Sequence, residues 1–329
     1  MVAAYAVPSI SPPDKLTREE MDVVTRINPY KFWLALAFDL AVIAGVIALN
    51  EYFFFNPLVY LFTVLVISSR LHAFAVLMHD CAHQRAFTSK RLNEIVGEPL
   101  AWIVLFTREG YRNNHLAHHQ NLNTMQDPDW MRKTSYGPFT FPKTKPALAR
   151  EMFRQISGGG FAWFILSLIR SKVTSDISPT VKRYRLLFYI ALFGICIATG
   201  TLGRLVLYWL IPLATVFNLF MYQRSVSEHH GNMEYDHTYT NTRTILPRWW
   251  EAFIFTPHNV NYHMEHHLYP HVPFYNLPLL HKFMMQRTAY AAKAHITHGI
   301  VDGLWGEFCE KEPRGVTVAE IFEKQKAAA

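Results

Sequence analysis

Charge is what this chain has least of. Asp, Glu, Lys and Arg make up 17% of its 329 residues, where a soluble domain carries about 25%. Cysteine is scarce as well: Cys81, Cys196 and Cys309 lie far apart and form no CxxC pair. That excludes a disulfide framework and a rubredoxin-like or iron–sulfur site, and it suits a reducing, cytosol-facing setting. The chain has no haem-binding HPGG segment and no GxGxxG strand–turn–helix. Bound haem, flavin or NAD is therefore not expected. Residues 1–31, with Pro12, Pro13 and a charged stretch from Lys15 to Glu20, lack the apolar core and small-residue cleavage site of a signal peptide. This arm is expected to be retained.

The chain is rich in apolar residues, aromatics and histidine. Half of it is hydrophobic, and its 24 Phe, 16 Tyr and 8 Trp suit a lipid-facing protein with aromatics at the membrane interfaces. The formal charge of +7 comes with no nucleic-acid-binding signature. Membrane proteins collect Lys and Arg in cytoplasmic loops, so nucleic acid is not an expected partner.

Four stretches approach the ~20 apolar residues that a bilayer requires: about 32–50, 53–78, 185–202 and 204–222. Shorter apolar pieces at 94–107 and 160–169 suit interfacial or re-entrant helices. The loop Glu51–Pro57 carries no Lys or Arg and the turn at Gly200–Gly203 is followed only by Arg204. The central segment, in contrast, is crowded with Arg85, Lys90, Arg91, Arg108, Arg112, Arg132, Lys133, Lys143 and Lys145. The positive-inside bias places both termini and that segment in the cytosol. The expected fold is an all-α integral membrane protein: an N-terminal arm (1–31), a core with four transmembrane helices and a cytosolic helical cap (32–285), and a C-terminal tail (286–329).

Most of the 17 histidines fall in four clusters, all on the cytosolic side. His79 and His83 form HxxxH at the end of the second span, one helical turn apart and on one face; His72 lies two turns earlier. His115, His118 and His119 form HxxHH, and His263, His266 and His267 form another, flanked by His258 and His271. The fourth is Glu228-His229-His230-Gly231. Neighbouring residues on a helix diverge by about 100°, so adjacent histidines suit two metals better than one. Eight imidazoles, with a ninth from the fourth cluster, exceed what a four-coordinate zinc needs and suit two ions of higher coordination number. His237, His281, His295 and His298 fit ordinary interfacial or hydrogen-bonding roles. Carboxylates within or beside the clusters, Asp80, Asp127, Asp129, Glu228 and Glu265, are candidates to orient the imidazoles. Asn259 and Asn261 are placed to order the last cluster, and His258 and His271 to support it. Arg70, inside a span, is costly there and faces a bundle interior or cavity, where it meets a polar part of a substrate or pairs with a helix carbonyl.

The set HDCAH, HLAHH and HMEHH, with four spans and the tail NVNYHMEHHLYPHVPFYNLPLLH, resembles the membrane fatty acid desaturase and hydroxylase superfamily over about residues 32–285. The resemblance implies a di-iron centre held by His79, His83, His115, His118, His119, His263, His266 and His267. The EHxG pattern of the hydroxylases adds His229, with His230 as the alternative. It further implies desaturation of a fatty acyl chain, lipid-, acyl-carrier- or CoA-linked, using dioxygen and electrons from a separate ferredoxin, rubredoxin or cytochrome b5. A bacterial inner membrane suits it better than the endoplasmic reticulum. HDCAH favours desaturation and EHHG favours hydroxylation; acetylenic bond formation, alkene-forming decarboxylation and carotenoid oxidation start from the same C–H cleavage. A metal transporter would place its ligands near the bilayer midplane, and a zinc hydrolase needs only three.

Overall fold

In the computed structural model, residues 14–134, 137–170, 177–231, 233 and 238–309 are described. His237 and the outer parts of both terminal segments lie outside them. The described residues are helical, with one small sheet. Helix α1 (Arg18–Val24) starts at a capping box between Thr17 and Glu20. Asn28 then caps α2 (Pro29–Tyr52), and Asn56 caps α3 (Pro57–Ala82), each with proline in the first turn. Between them, Phe54 and Phe55 take left-handed backbone angles that reverse the chain.

Among the described residues, three stretches are long and apolar enough to cross a membrane: Arg18–Tyr52, Pro57–Ala82 and Leu202–His229. The middle one is the hub. Its most apolar window is 83% buried, against 11% for the stretch containing α2. Helix α3 packs on α2 and on α4 (Lys90–Ile103). Gly97 permits the close α3–α4 approach, since a Cβ there would lie 2.7 Å from Cys81 Cβ and 2.6 Å from the Arg108 side chain.

Helices α5 (Arg108–Gln120), α6 (Pro128–Thr134), α7 (Lys145–Ile156) and α8 (Gly159–Arg170) follow. Next comes α9 (Pro179–Ala198), a 20-residue helix with no buried residue. It is not among the three membrane-length stretches, and Lys182, Arg183 and Arg185 occupy its first turns. The last long stretch is segmented. Helix α10 (Leu202–Leu205) passes through a π turn at Val206–Leu210 into α11 (Ile211–Ala214), breaks at Thr215, and resumes as α12 (Val216–His229). Pro212 has no N–H to offer the carbonyl of Tyr208, which accounts for the widened turn before it. Helix α12 thus runs seven residues beyond the expected span end; it packs on α3 and carries Glu228 and His229 toward His118, His263 and His267.

Beyond α12, strand β1 (Thr244–Leu246) pairs in parallel with β2 (Ile296–His298), in the register Thr244↔Ile296. Between them lie α13 (Trp249–Phe255), α14 (His263–Leu268), α15 (Leu277–Met284) and α16 (Thr288–Lys293), and α17 (Gly303–Cys309) follows β2. The sheet was not expected; three-residue strands are too short to leave a period-two pattern. The segment expected as a tail from 286 onward packs back through Tyr290, which is fully buried, and through β2. The arm is docked as well: α1 packs on α15, and Asn276 donates to the carbonyl of Val24 at 2.8 Å.

Candidate metal centre

Three helices and the end of a fourth aim imidazoles at one place. His79 occupies the last turn of α3, with His83 as its C-cap. His115, His118 and His119 lie on α5; His263, His266 and His267 lie on α14; His229 ends α12. The rings sort into two adjoining foci. His79, His83, His115, His119 and His266 place one nitrogen each within 4.8 Å of one another; His118, His229 and His267 do the same beside them, and His229 and His263 do so with Glu228. Each adjacent pair is split: His118 and His267 face one focus, His119 and His266 the other. The helical divergence of neighbouring residues produces this division.

The spacings test what such foci fit. Nε2 atoms lie 2.9 Å apart for His79 and His115, and 3.0 Å for His115 and His119 and for His119 and His266. At the other focus they are 2.8 Å for His229 and His263 and 3.0 Å for His263 and His267. Two nitrogens bound to one ion at about 2.0–2.1 Å and about 90° lie about 2.8–3.0 Å apart, whereas a tetrahedral pair lies about 3.3–3.4 Å apart. The donor set therefore fits two ions with octahedral-type edges. His83 Nε2 is buried without a hydrogen-bond partner among the described residues, as a nitrogen reserved for a metal would be. Burial drives His83 down to about 3 and holds His115, His119, His263, His266 and His267 well below the ordinary histidine range. These rings are neutral, the form that binds metal.

Outer partners fix ring orientation unevenly. Asp127, fully buried, accepts from His118 Nδ1 at 2.8 Å and from Asn123 N at 3.0 Å through Oδ2. Its Oδ1 accepts from the amides of Asp129 at 2.9 Å and Trp130 at 3.1 Å. Glu228 Oε1 lies 3.5 Å from His263 Nδ1 and accepts from Arg224 Nε at 2.8 Å. Asp80 is 3.7 Å from His79 Nδ1, beyond hydrogen-bond reach; it accepts instead from Phe274 N at 2.9 Å.

Several expected supporters act elsewhere. Glu265 bonds Thr244, His281 and Tyr290, tying α14 to β1, α15 and α16 rather than to an imidazole of either focus. His258 pairs with Asp39 at 2.7 Å, away from the foci. Asn261 donates to Ile245 O at 2.8 Å, and Asn259 to Phe274 O at 3.2 Å. His271 is exposed and joins neither focus. Arg70 does not face the cavity: it pairs with Asp39 at 3.0 Å, donates to Ser69 at 2.7 Å and to the Phe253 carbonyl, and lies over the Phe253 ring. A bilayer-depth guanidinium is tolerated because a buried carboxylate neutralises it.

His230 points away from the foci, stacked on Trp130 at 5.3 Å and 2° and flanked by Phe139 and Phe141. Arg243, unremarkable in sequence, is fully buried and donates to the carbonyls of Ser227 and His230, fixing the end of α12. Tyr111 stacks on His115. A cavity of about 210 Å³ adjoins the foci, with His115, His118, His229 and His263 in its wall and Phe106, Trp163, Phe164 and Phe217 opposite in character.

Three membrane-length helices among the described residues, with nine converging imidazoles that could hold metal beside a cavity, define a helical, membrane-type protein with a candidate metal centre. Comparison with known sequences makes this specific. Residues 55–299 match the fatty acid desaturase family model, so the chain belongs to the fatty acid desaturase family and is an oxidoreductase of that type. It is 28% identical over 269 residues to a dihydrorhizobitoxine desaturase of Bradyrhizobium elkanii, covering 78% of this chain and 74% of the relative. It is 25% identical to an sn-1 oleoyl-lipid 12-desaturase of a Picosynechococcus species, covering 90% and 85%. An sn-2 acyl-lipid omega-3 desaturase (ferredoxin) of Helianthus annuus is 24% identical, covering 81% and 65%.

Proposed function

We propose that the two foci hold two irons and that the protein removes two hydrogens from adjacent carbons of a hydrocarbon chain. The observation that carries this is the division of nine imidazoles between adjoining foci that share a cavity. Bound there, the irons supply dioxygen reduction, without which an unactivated C–H bond is beyond side-chain chemistry. The reaction balances as follows. Two C–H bonds break and one C=C bond forms; dioxygen takes four electrons and four protons and leaves as two waters. The hydrocarbon chain supplies two electrons and two protons, a one-electron carrier protein supplies two more electrons in two successive transfers, and solvent supplies the other two protons.

The protein's own residues do the positioning. His79, His83, His115, His119 and His266 hold one iron, and His118, His229, His263 and His267 the other. Asp127 keeps His118 Nδ1 as the donor so that Nε2 is the ligand. Phe106, Trp163, Phe164 and Phe217 exclude water and hold the chain by apolar contact. We assign α9 as a further span, giving four, with the centre and both termini on the cytosolic side; the basic residues of the central segment support that orientation. An acidic ferredoxin, rubredoxin or cytochrome b5 would meet Arg85, Lys90 and Arg91 on that face, and the Helianthus relative is named for ferredoxin. A bacterial inner membrane fits the first two relatives.

Metal analysis of purified protein, followed by mass spectrometry of products formed with dioxygen and a reductant, tests this. About two irons per chain and a 2-Da loss are expected. Stoichiometric zinc with oxygen-independent turnover would overturn it.

A further inference from the structure

The last turn of α12 carries two groups of the centre on successive residues. Glu228 reaches His263, and His229 joins His118 and His267. A helix end has carbonyls without intrahelical donors and frays unless something else bonds them. Here the chain also leaves the helix at once: His230 is extended, and Gly231 takes a left-handed φ of +90°. What bonds this end is Arg243. Its Nη1 donates to the carbonyl of Ser227 at 2.7 Å and to that of His230 at 3.1 Å. One guanidinium therefore brackets Glu228 and His229 from both sides.

Arg243 is in turn held by a segment far along the chain. Its Nη2 donates to Glu307 Oε2 at 2.6 Å; the same oxygen meets His295 Nε2 at 2.7 Å, and Oε1 accepts from Thr297 on β2. Glu307 lies on α17, and the ring of its neighbour Phe308 faces the guanidinium at 5.7 Å. A Cβ on Gly231 would come within 2.8 Å of that ring. The Arg243 side chain is 0% exposed and that of Glu307 14%, so solvent and salt screen the pair little. Burial raises the Glu307 carboxyl, but the bonds from His295 and Arg243 outweigh it and bring it down to about 2. The carboxylate is charged at neutral pH.

We infer that Arg243 is a positioning residue for the ion at the focus of His118, His229, His263 and His267, and that docking of α17 and binding of that ion strengthen each other through it. This rests on the reading of the two foci as metal sites. The path is short. Glu307 on α17 fixes Arg243, and Arg243 fixes the backbone that aims His229. Coupling between two binding events is reciprocal, so an ion on His229 must hold α17 in return. The focus of His79, His83, His115, His119 and His266 takes no ligand from α12. Its ion is indifferent to Arg243, which separates positioning from a general effect on folding.

The test uses Co(II) as the probe. Purified metal-free protein is titrated with it and followed by visible absorption, and hydrogen exchange of residues 296–309 is measured before and after loading. His118→Ala supplies the reference spectrum of a chain impaired at the focus that contains His229. Arg243→Gln should weaken one ion about 10–100-fold, leave the other unchanged, and give a spectrum matching that reference. Glu307→Gln keeps one acceptor oxygen and the side-chain shape; it should weaken the same ion by less, and it stands in if Arg243→Gln fails to fold. In the wild type, exchange in 296–309 should slow about tenfold on loading, and in His118→Ala it should not. Two ions held at wild-type affinity in these variants, equal weakening of both ions, or exchange in 296–309 that ignores loading overturns the inference and leaves the metal-site reading standing. A wild-type chain that takes up no Co(II) sinks that reading and the inference with it.

Discussion

Replacing Asp127 by Asn removes one oxygen and puts two N–H donors in its place. Both carboxylate oxygens are in use: Oδ2 takes His118 Nδ1 and Asn123 N, and Oδ1 takes the amides of Asp129 and Trp130. An asparagine can serve only one side; the other then faces two donors with a third. If the amide nitrogen turns toward Oδ1's partners, two backbone amides at the start of α6 are stranded. If it turns toward His118, the imidazole loses its acceptor and the tautomer that presents Nε2. Each stranded buried donor costs about 1–3 kcal/mol, so with two stranded a loss of about 2–6 kcal/mol in stability is expected either way. In the second arrangement, affinity at the focus of His118, His229, His263 and His267 should fall about 10–100-fold. The assay is metal per chain after dialysis against a graded chelator series, read with thermal melting in the metal-free and loaded states. The expected result is one ion released early and one retained. Wild-type melting with both ions held at wild-type affinity would refute the argument that Asp127 orients His118.

Other consequences are equally direct. His229→Ala should lose metal and turnover, whereas His230→Phe should keep both, because His230 stacks on Trp130; loss of metal in His230→Phe would contradict that division. Burial holds His83 and His230 at about 3 in the folded chain, below the ~6.5 of an exposed histidine. The unfolded chain then binds protons that the folded one refuses. Their stabilising contribution is complete above pH ~6.5 and is lost as pH falls toward the folded value. Melting of metal-free protein from pH 8 to pH 5, buffers chosen for the measurement at about those values, should show this decline, and His230→Phe should reduce its slope by about one proton. Asp39→Ala strands buried Arg70 and should cost about 3–5 kcal/mol; Asp39→Leu with Arg70→Met should recover most of it and keep turnover. A double variant that melts normally but cannot bind substrate would return Arg70 to the substrate role.

Periodicity and spacing were enough to identify three long apolar helices and eight of the nine converging histidines. These are local signals: HxxxH and HxxHH place rings on one helix face by helical geometry alone, and an apolar run of bilayer length needs no partner to be recognised. The break of the last span at Thr215 and its extension to His229 lay beyond that reach, since a π turn has no strong local signature. So did the choice between His229 and His230. Consecutive residues are equivalent in sequence, and only the aromatic slot formed by Trp130, Phe139 and Phe141 takes one of them out of play.

The partners of the charged groups were decided entirely by tertiary structure. Arg70 finds Asp39 on α2, His258 finds the same carboxylate from the other side, and Glu265 turns to β1 and Tyr290. A carboxylate beside a histidine in the chain need not touch its ring. Glu265 and Asp80 do not bond the imidazoles next to them, while Asp127 reaches His118 from nine residues away. What a residue is can be told from its type and helical phase; what a buried charge pairs with depends on which distant segments the fold brings within 3 Å, a distance over which burial makes one partner worth far more than any other.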